Sequence, residues 1–191
     1  MPWREGAAMP KNELAPTSGA TVYLGLGSNL GDRLKNLERT IDLIGRRLKL
    51  LRRSPVYETV PVDVPSQGKF LNMVIEAQTS LPPHDLLKLL KGIEQMLGRG
   101  TAGSEAPRSI DIDILFYGDL KMMTEALTIP HPRLSRRAFV LVPLNDMAPC
   151  LEHPVTKKTV AEMLSGLGET GGVELYIPPS RDEGQNEGTA R

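Results

Sequence analysis

Apolar positions change their period along the chain, and each change marks an element. TVYLGLGS at 21–28 is an apolar run closing on Gly and Ser, the pattern of a buried strand. Leu30, Leu34, Leu37, Ile41, Ile44 and Leu48 then recur every three or four residues. That spacing predicts a helix starting near Asp32, with its charges on the opposite side. Residues 55–59 read as a strand, 60–68 with Pro61, Pro65 and Gly68 as a loop, and FLNMVIEAQTS at 70–80 as a second clear strand. Ser80, Pro82 and Pro83 open another helix, which carries Leu86, Leu89, Leu90, Ile93 and Leu97 and closes at Gly98. SIDIDILFYGD at 109–119 alternates like a strand, FVLVPL at 139–144 predicts a further strand, and 159–167 a closing helix.

The gap between 59 and 70 is too short for a crossover helix, so the strands on either side are expected to be antiparallel. An α+β sandwich follows, with helices packed on a mainly antiparallel sheet. No internal repeat or linker splits residues 21–177, which predicts one domain. Residues 1–20 hold Pro, Gly and Trp3 without apolar periodicity, and 178–191 are polar; both are expected to be disordered. The basic run Arg46, Arg47, Lys49, Arg52, Arg53 reads as a solvated helix end.

Composition narrows the class. Among 191 residues, 23 Lys and Arg balance 23 Asp and Glu, which argues against bulk binding to nucleic acid or an acidic membrane. No apolar run approaches the roughly 18 residues of a spanning helix. A lone cysteine, Cys150, cannot close an internal disulfide and fits a reducing compartment. Residues 1–20 lack the apolar core of a secretory signal. A cytoplasmic monomer, with neither nucleic acid nor membrane as partner, is the expectation.

The sharpest chemical signal is Asp111 and Asp113 within an apolar strand. Alternation sets both carboxylates on one strand face, about 6.6 Å apart along the chain, while Ile110, Ile112 and Ile114 turn to the core. Two adjacent acids need a cation, and Mg²⁺ takes a few carboxylates together with substrate phosphates; the pattern also fits a solvated sheet face. Arg108 and Arg99 flank a small-residue loop at 100–107 and could reach anionic oxygens; each also fits a surface arginine or an ion pair with Glu94 or Glu105, and for Arg99 taken alone that is the favoured reading. Gly25-Leu26-Gly27-Ser28-Asn29 lies between strand and helix. Its glycine spacing departs from the dinucleotide fingerprint, leaving a tight turn that either presents N–H groups or serves sterics alone. His131, between Pro130 and Pro132, could face a phosphate or be structural. The histidines and the single cysteine show no zinc spacing.

The order of these features says more than any one of them. GLGSNLGD at 25–32, Phe70-Leu71-Asn72, PRSIDIDI at 107–114 and Ile129-Pro130-His131-Pro132 together resemble the 6-hydroxymethyl-7,8-dihydropterin pyrophosphokinase family, over essentially all of 21–167. The resemblance implies a ferredoxin-like αβ domain acting in folate biosynthesis as an Mg²⁺-dependent transferase. Its substrates would be ATP and 6-hydroxymethyl-7,8-dihydropterin, with AMP released. By position, Asp111 and Asp113 would hold two Mg²⁺ ions, and Arg99 and Arg108 would act with them in catalysis. Glu94, Arg99, Arg108, Ile114, Thr128, His131 and Arg137 would contact ATP. Asn72 would bond the pterin amide edge, Phe70 and Phe139 would sandwich its ring, and Thr59, Pro61 and Val62 would line the pocket. The chain departs from the family in the loop, where Ser104 stands at a position that is usually basic, Thr101 at one that is arginine in some members, and Glu105 at one that is tryptophan in some members.

Overall fold

A computed structural model describes residues 19–61, 68–98, 108–168 and 170–178. Eight strands and four α-helices follow one another as β1 (Ala20–Ser28), α1 (Arg33–Gly45), β2 (Lys49–Arg53), β3 (Tyr57–Thr59), β4 (Phe70–Thr79), α2 (Pro83–Met96), β5 (Asp111–Tyr117), β6 (Met122–Met123), β7 (Thr128–Ile129), α3 (Ala138–Met147), α4 (Val160–Ser165) and β8 (Val173–Leu175). Six strands form one sheet in the order β5-β1-β4-β3-β8, with β2 also paired to β4, and every pairing in it is antiparallel. β6 and β7 make a separate two-stranded ribbon. The architecture is α+β, a mostly antiparallel sheet carrying packed helices, and the β3–β4 pair is antiparallel as the short connection requires.

Alternation along the central strands assigns the two faces. Val22, Leu24 and Leu26 of β1, Leu71, Met73 and Ile75 of β4, and Ile112 and Ile114 of β5 join Leu37, Ile44, Leu86, Leu90 and Ile93 in the core beneath α1 and α2. Tyr23, Val74 and Leu115 join Val140, Leu141 and Leu144 beneath α3 and α4. Asp111 and Asp113 therefore share the α3 face, opposite the isoleucines, as their spacing predicts. The helix signals work locally too. Asp32 caps α1 by accepting from the Lys35 amide at 3.1 Å, Pro83 sits in the first turn of α2, and Gly98 takes φ +85° just past its end. Thr159 and Glu162 form a reciprocal capping box on α4.

Two expectations are overturned. Residues 139–144 are not a strand but lie in α3, because six successive apolar residues suit a buried helix as well as a strand. Val140, Leu141, Leu144 and Met147 are its buried stripe, and Pro143 lies inside it. The basic run is a solvated helix end only at Arg46, which caps α1, and the exposed Arg47. α1 stops at Gly45, and Lys49–Arg53 forms β2, paired antiparallel with β4 from Lys49↔Gln78 to Arg53↔Ile75. Of the extension expected at 1–20, residues 1–18, Trp3 included, lie outside the described residues, as do those beyond 178, while Ala20 is buried as the first residue of β1.

Candidate active site

Strand register builds the α3 face in rows. Tyr57 pairs with Asn72, Asn72 with Gly27, and Gly27 with Asp111, so four strands contribute to one row. The next row runs Val74, Gly25, Asp113. Two glycines thus separate the aspartates from the Asn72 amide, leaving bare backbone as the floor between them. A Cβ on Gly27 would lie 2.8 Å from Asn72 Oδ1, and one on Gly25 would lie 3.4 Å from Leu115 Cδ2. Both glycines are strand residues, so the tight-turn reading of Gly25 and Gly27 is corrected; the left-handed glycine of that motif is Gly31, at φ +66°.

At one end of the rows lies a charged cluster. Arg108 Nη1 is 2.7 Å from Asp111 Oδ2, and Arg137 Nη1 is 3.1 Å from Asp113 Oδ2. His131 Nε2 lies 3.6 Å from the same Asp113 oxygen. His131 is fixed through its own backbone, whose N–H donates to the Leu115 carbonyl at 3.1 Å, and its Nδ1 accepts from the Arg133 amide at 3.2 Å. That acceptor role leaves Nε2 as the protonated nitrogen of the neutral ring, facing the carboxylate. Burial pulls the His131 pKa below the ordinary histidine value, and the neighbouring arginines add to this while Asp113 opposes it. Arg108 is itself held by Asn29, whose Oδ1 accepts from the Arg108 backbone N–H at 2.7 Å and whose own backbone N–H donates to the Arg108 carbonyl at 3.1 Å.

At the other end is a pocket wall of different character. Asn72 is 7% exposed, and its Nδ2 donates to Thr59 Oγ1 at 2.6 Å, which leaves Oδ1 over Gly27. Phe70 stands two residues earlier on the same face, with Cδ1 3.8 Å from the position of a Gly27 Cβ. Tyr57 donates its hydroxyl to Asp146 of α3, and burial followed by that bond pushes its pKa up to about 12. Arg33 bonds the Lys69 carbonyl at 2.9 Å and pairs with Glu58 at 2.9 Å, while Lys69 pairs with Glu58 at 3.0 Å. These contacts to Lys69 and Arg33 hold the Glu58 carboxyl below its usual range and tie the base of the connection that leads into Phe70.

Of the residues singled out by sequence, Arg108, Asp111, Asp113, His131 and Arg137 come together, as do Thr59, Phe70 and Asn72. Phe139 opens α3 with the Arg137 guanidinium 5.4 Å from its ring centroid, so it stands beside the charged cluster. Pro61 is half-buried just past β3, and Thr128 is half-buried in the ribbon, paired with Met123. Glu94 is 1% exposed; its Oε1 accepts from the Ile112 amide at 2.8 Å and from Lys91 Nζ at 3.0 Å. Its carboxylate thus supports β5 from α2. The Ile114 side chain is buried in the α1/α2 core, so any ligand contact there falls to its backbone. Arg99, Val62 and the loop residues Thr101, Ser104 and Glu105 lie outside the described residues. Sequence reasoning gave no individual role to Asn29 or Tyr57, whose partners lie about 80 to 90 positions away.

The aspartate pair fits a hard cation. Among the described residues no group of three or more His, Cys, Asp and Glu side chains could hold a metal by itself. Two part-exposed carboxylates on one strand face are a donor set that leaves positions for phosphate oxygens, as Mg²⁺ sites use. Among the described residues no helix is long and apolar enough to cross a membrane.

A model of the 7,8-dihydro-6-hydroxymethylpterin-pyrophosphokinase family matches residues 23–149. The 2-amino-4-hydroxy-6-hydroxymethyldihydropteridine pyrophosphokinase of Aquifex aeolicus is 43% identical over 143 residues, covering 75% of this chain and 89% of that protein. The Bacillus subtilis protein of the same name is 37% identical over 159 residues, covering 82% and 95%. The mitochondrial folate synthesis bifunctional protein of Pisum sativum is 41% identical over 158 residues; they cover 82% of this chain but only 30% of the pea protein. In structure, the chain is similar to Plasmodium falciparum HPPK-DHPS, with a TM-score of 0.61 at 21% identity, over 78% of this chain and 41% of that one.

Proposed function

The chain belongs to the 7,8-dihydro-6-hydroxymethylpterin-pyrophosphokinase family, and we propose that it transfers the β,γ-pyrophosphoryl group of ATP to the hydroxymethyl oxygen of 6-hydroxymethyl-7,8-dihydropterin, a step of folate biosynthesis. The observation that carries this reading is the pair of unlike half-sites on one sheet face. A carboxylate–arginine cluster lies on one side of Gly25 and Gly27, and a directional amide beside a phenylalanine lies on the other.

The chemistry asks for such a division. An oxygen–phosphorus bond forms at the β-phosphorus as the bond to the α-phosphate oxygen breaks, and AMP leaves. Charge develops on phosphate oxygens, and positioning with electrostatic stabilisation does most of the catalytic work. Asp111 and Asp113 would hold two Mg²⁺ ions, which when bound neutralise the triphosphate and orient the attacking hydroxyl. Arg108 and Arg137, already beside these carboxylates, offer guanidinium forks to the phosphates, and His131 offers its Nε2–H. Arg99 would add a further charge, and Glu94, Ile114 and Thr128 would border the nucleotide.

On the pterin side, Asn72 presents an amide already oriented by Thr59, so little ordering cost remains when it bonds a heterocycle edge. Phe70 and Phe139 would stack on the ring, and Thr59, Pro61 and Val62 would line it. The order β1-α1-β2-β3-β4-α2-β5, in which β2 and β3 pair along the same β4 as two pieces of one sheet position, supports a ferredoxin-like core over 21–177. Balanced charge supports the reading without a nucleic-acid or acidic-membrane partner, and a lone Cys150 supports a reducing, cytoplasmic setting.

The test is AMP formation from ATP and Mg²⁺ that depends on added hydroxymethyldihydropterin. Folded protein that binds both compounds yet forms no AMP would establish the rival reading, a non-catalytic nucleotide- and pterin-binding module.

A further inference from the structure

We propose that Asn29 is a positioning residue for the transfer reaction, acting through Arg108; this rests on the proposed function above. Asn29 follows directly on β1, whose last residue, Ser28, is fully buried, so its backbone starts from a strand paired on both sides. From there it forms a two-way clamp on a residue 79 positions later. Its side-chain Oδ1 accepts from the Arg108 backbone N–H at 2.7 Å, and its own backbone N–H donates to the Arg108 carbonyl at 3.1 Å. Both backbone polar groups of Arg108 are therefore spent on Asn29. Three residues on, Asp111 opens β5 and receives the Arg108 guanidinium at 2.7 Å.

Geometry makes this more than a structural staple. A long arginine side chain loses rotamer freedom when it is fixed, and the fewer of its own dihedrals remain uncertain, the less of that cost falls on the reaction. Fixing the Cα of Arg108 from β1 sets the guanidinium relative to Asp111, which is itself in register with Gly27 of β1. One strand thereby references both partners of the ion pair. Asn29 touches no reacting atom in this scheme. An asparagine meets the requirement because it accepts at Oδ1 without adding a third negative charge beside two aspartates.

The test uses the full chain, with Asn29→Ala, Asn29→Asp, Arg108→Ala and the double variant Asn29→Ala/Arg108→Ala. Asn29→Ala is expected to lower kcat about tenfold to a hundredfold, the scale of a small displacement of a catalytic group, with KM for the pterin within about twofold of wild type. In the Arg108→Ala background the same change is expected to cost under about twofold, because the two residues act as one unit. A second readout is independent of turnover: exchange protection of the Arg108 amide hydrogen should drop in Asn29→Ala and persist in Asn29→Asp, which retains the accepting oxygen. If Asn29→Ala does not fold, Asn29→Ser, whose shorter side chain falls short of the amide, takes its place. Additive losses in the double variant, or unchanged protection in Asn29→Ala, would overturn the inference. Wild-type protein that forms no AMP would instead overturn the proposed function. The amide protection and the affinity for a non-hydrolysable ATP analogue with Mg²⁺ would then decide the role of Asn29 by themselves.

Discussion

Gly27 is the space that Asn72 occupies. The two residues face each other across β1 and β4, and a methyl group on Gly27 would stand 2.8 Å from Asn72 Oδ1, inside any real contact distance. The amide cannot simply swing aside, since its Nδ2 is bonded to Thr59 Oγ1 at 2.6 Å within a buried site. Gly27→Ala is therefore expected to break that bond or bend the strand, at about 1–2 kcal/mol. Titration calorimetry should show pterin affinity down by about tenfold or more, with affinity for the Mg²⁺–ATP analogue little changed. Equal loss of both affinities would mean that the two half-sites are not separable.

A second relationship holds α3 in place above this face. Arg52 of β2 meets Glu76 of β4 at 2.6 Å through both Nε and Nη2 and bonds the Met147 carbonyl at 2.8 Å. The partners are unequally buried: 53% of the Arg52 side chain is exposed against 11% for Glu76. Removing the arginine strands a carboxylate with little water, whereas removing the charge of Glu76 leaves an arginine that can turn to solvent. Arg52→Ala is expected to cost about 2–3 kcal/mol and Glu76→Gln about 1 kcal/mol, measured by urea unfolding. The reverse order would contradict the burial argument.

These contacts also show what a linear sequence hides. Asp111 and Asp113 are legible because Ile110, Ile112 and Ile114 fill the alternate positions, and period two is a local property. Helices α1, α2 and α4 are legible from spacing and caps. The 139–144 run is not, since continuous apolarity carries no period, and Arg52 misleads because a charged strand residue looks like a solvated helix end until its partner on β4 is known. Gly25 and Gly27 stand out as a motif, yet their purpose depends on register with β4 and β5. Asn29 falls in the same class, its role set by a residue far away in sequence.

Acid sensitivity should have a local source at His153. Its Nδ1 accepts from the Val155 and Thr156 amides at 3.3 and 3.2 Å, and the ring packs edge-on against Phe116. Burial lowers its pKa below the ordinary value. The unfolded chain then takes up the proton first, so this contribution to stability is complete above about pH 6.5 and is lost as pH falls below it toward the folded value. Urea midpoints at pH 7.5 and 5.5 should converge in His153→Asn relative to wild type. His131, whose pKa is also lowered, leaves a residual slope of the same sign.

The metal reading depends most directly on Asp113. Its carboxylate lies 3.1 Å from Arg137 Nη1, and about a third of the side chain is exposed, so the ion pair adds under about 1 kcal/mol to stability. Asp113→Asn keeps the shape and an accepting oxygen while removing the charge that a hard cation requires. The fold should survive with a melting temperature within a few degrees of wild type, and pterin affinity measured without nucleotide should be unchanged. Turnover should fall by at least about a hundredfold, the cost of losing one charge-stabilising element from a polar active site, and raising Mg²⁺ should recover only part of it. Asp111→Asn should behave alike, because Arg108 and Arg137 hold the two acids in matching fashion. If Asp113→Asn turned over at near-normal rate across a Mg²⁺ titration, the strand acids would be a solvated face held by arginines, and the cation would have to be sought elsewhere.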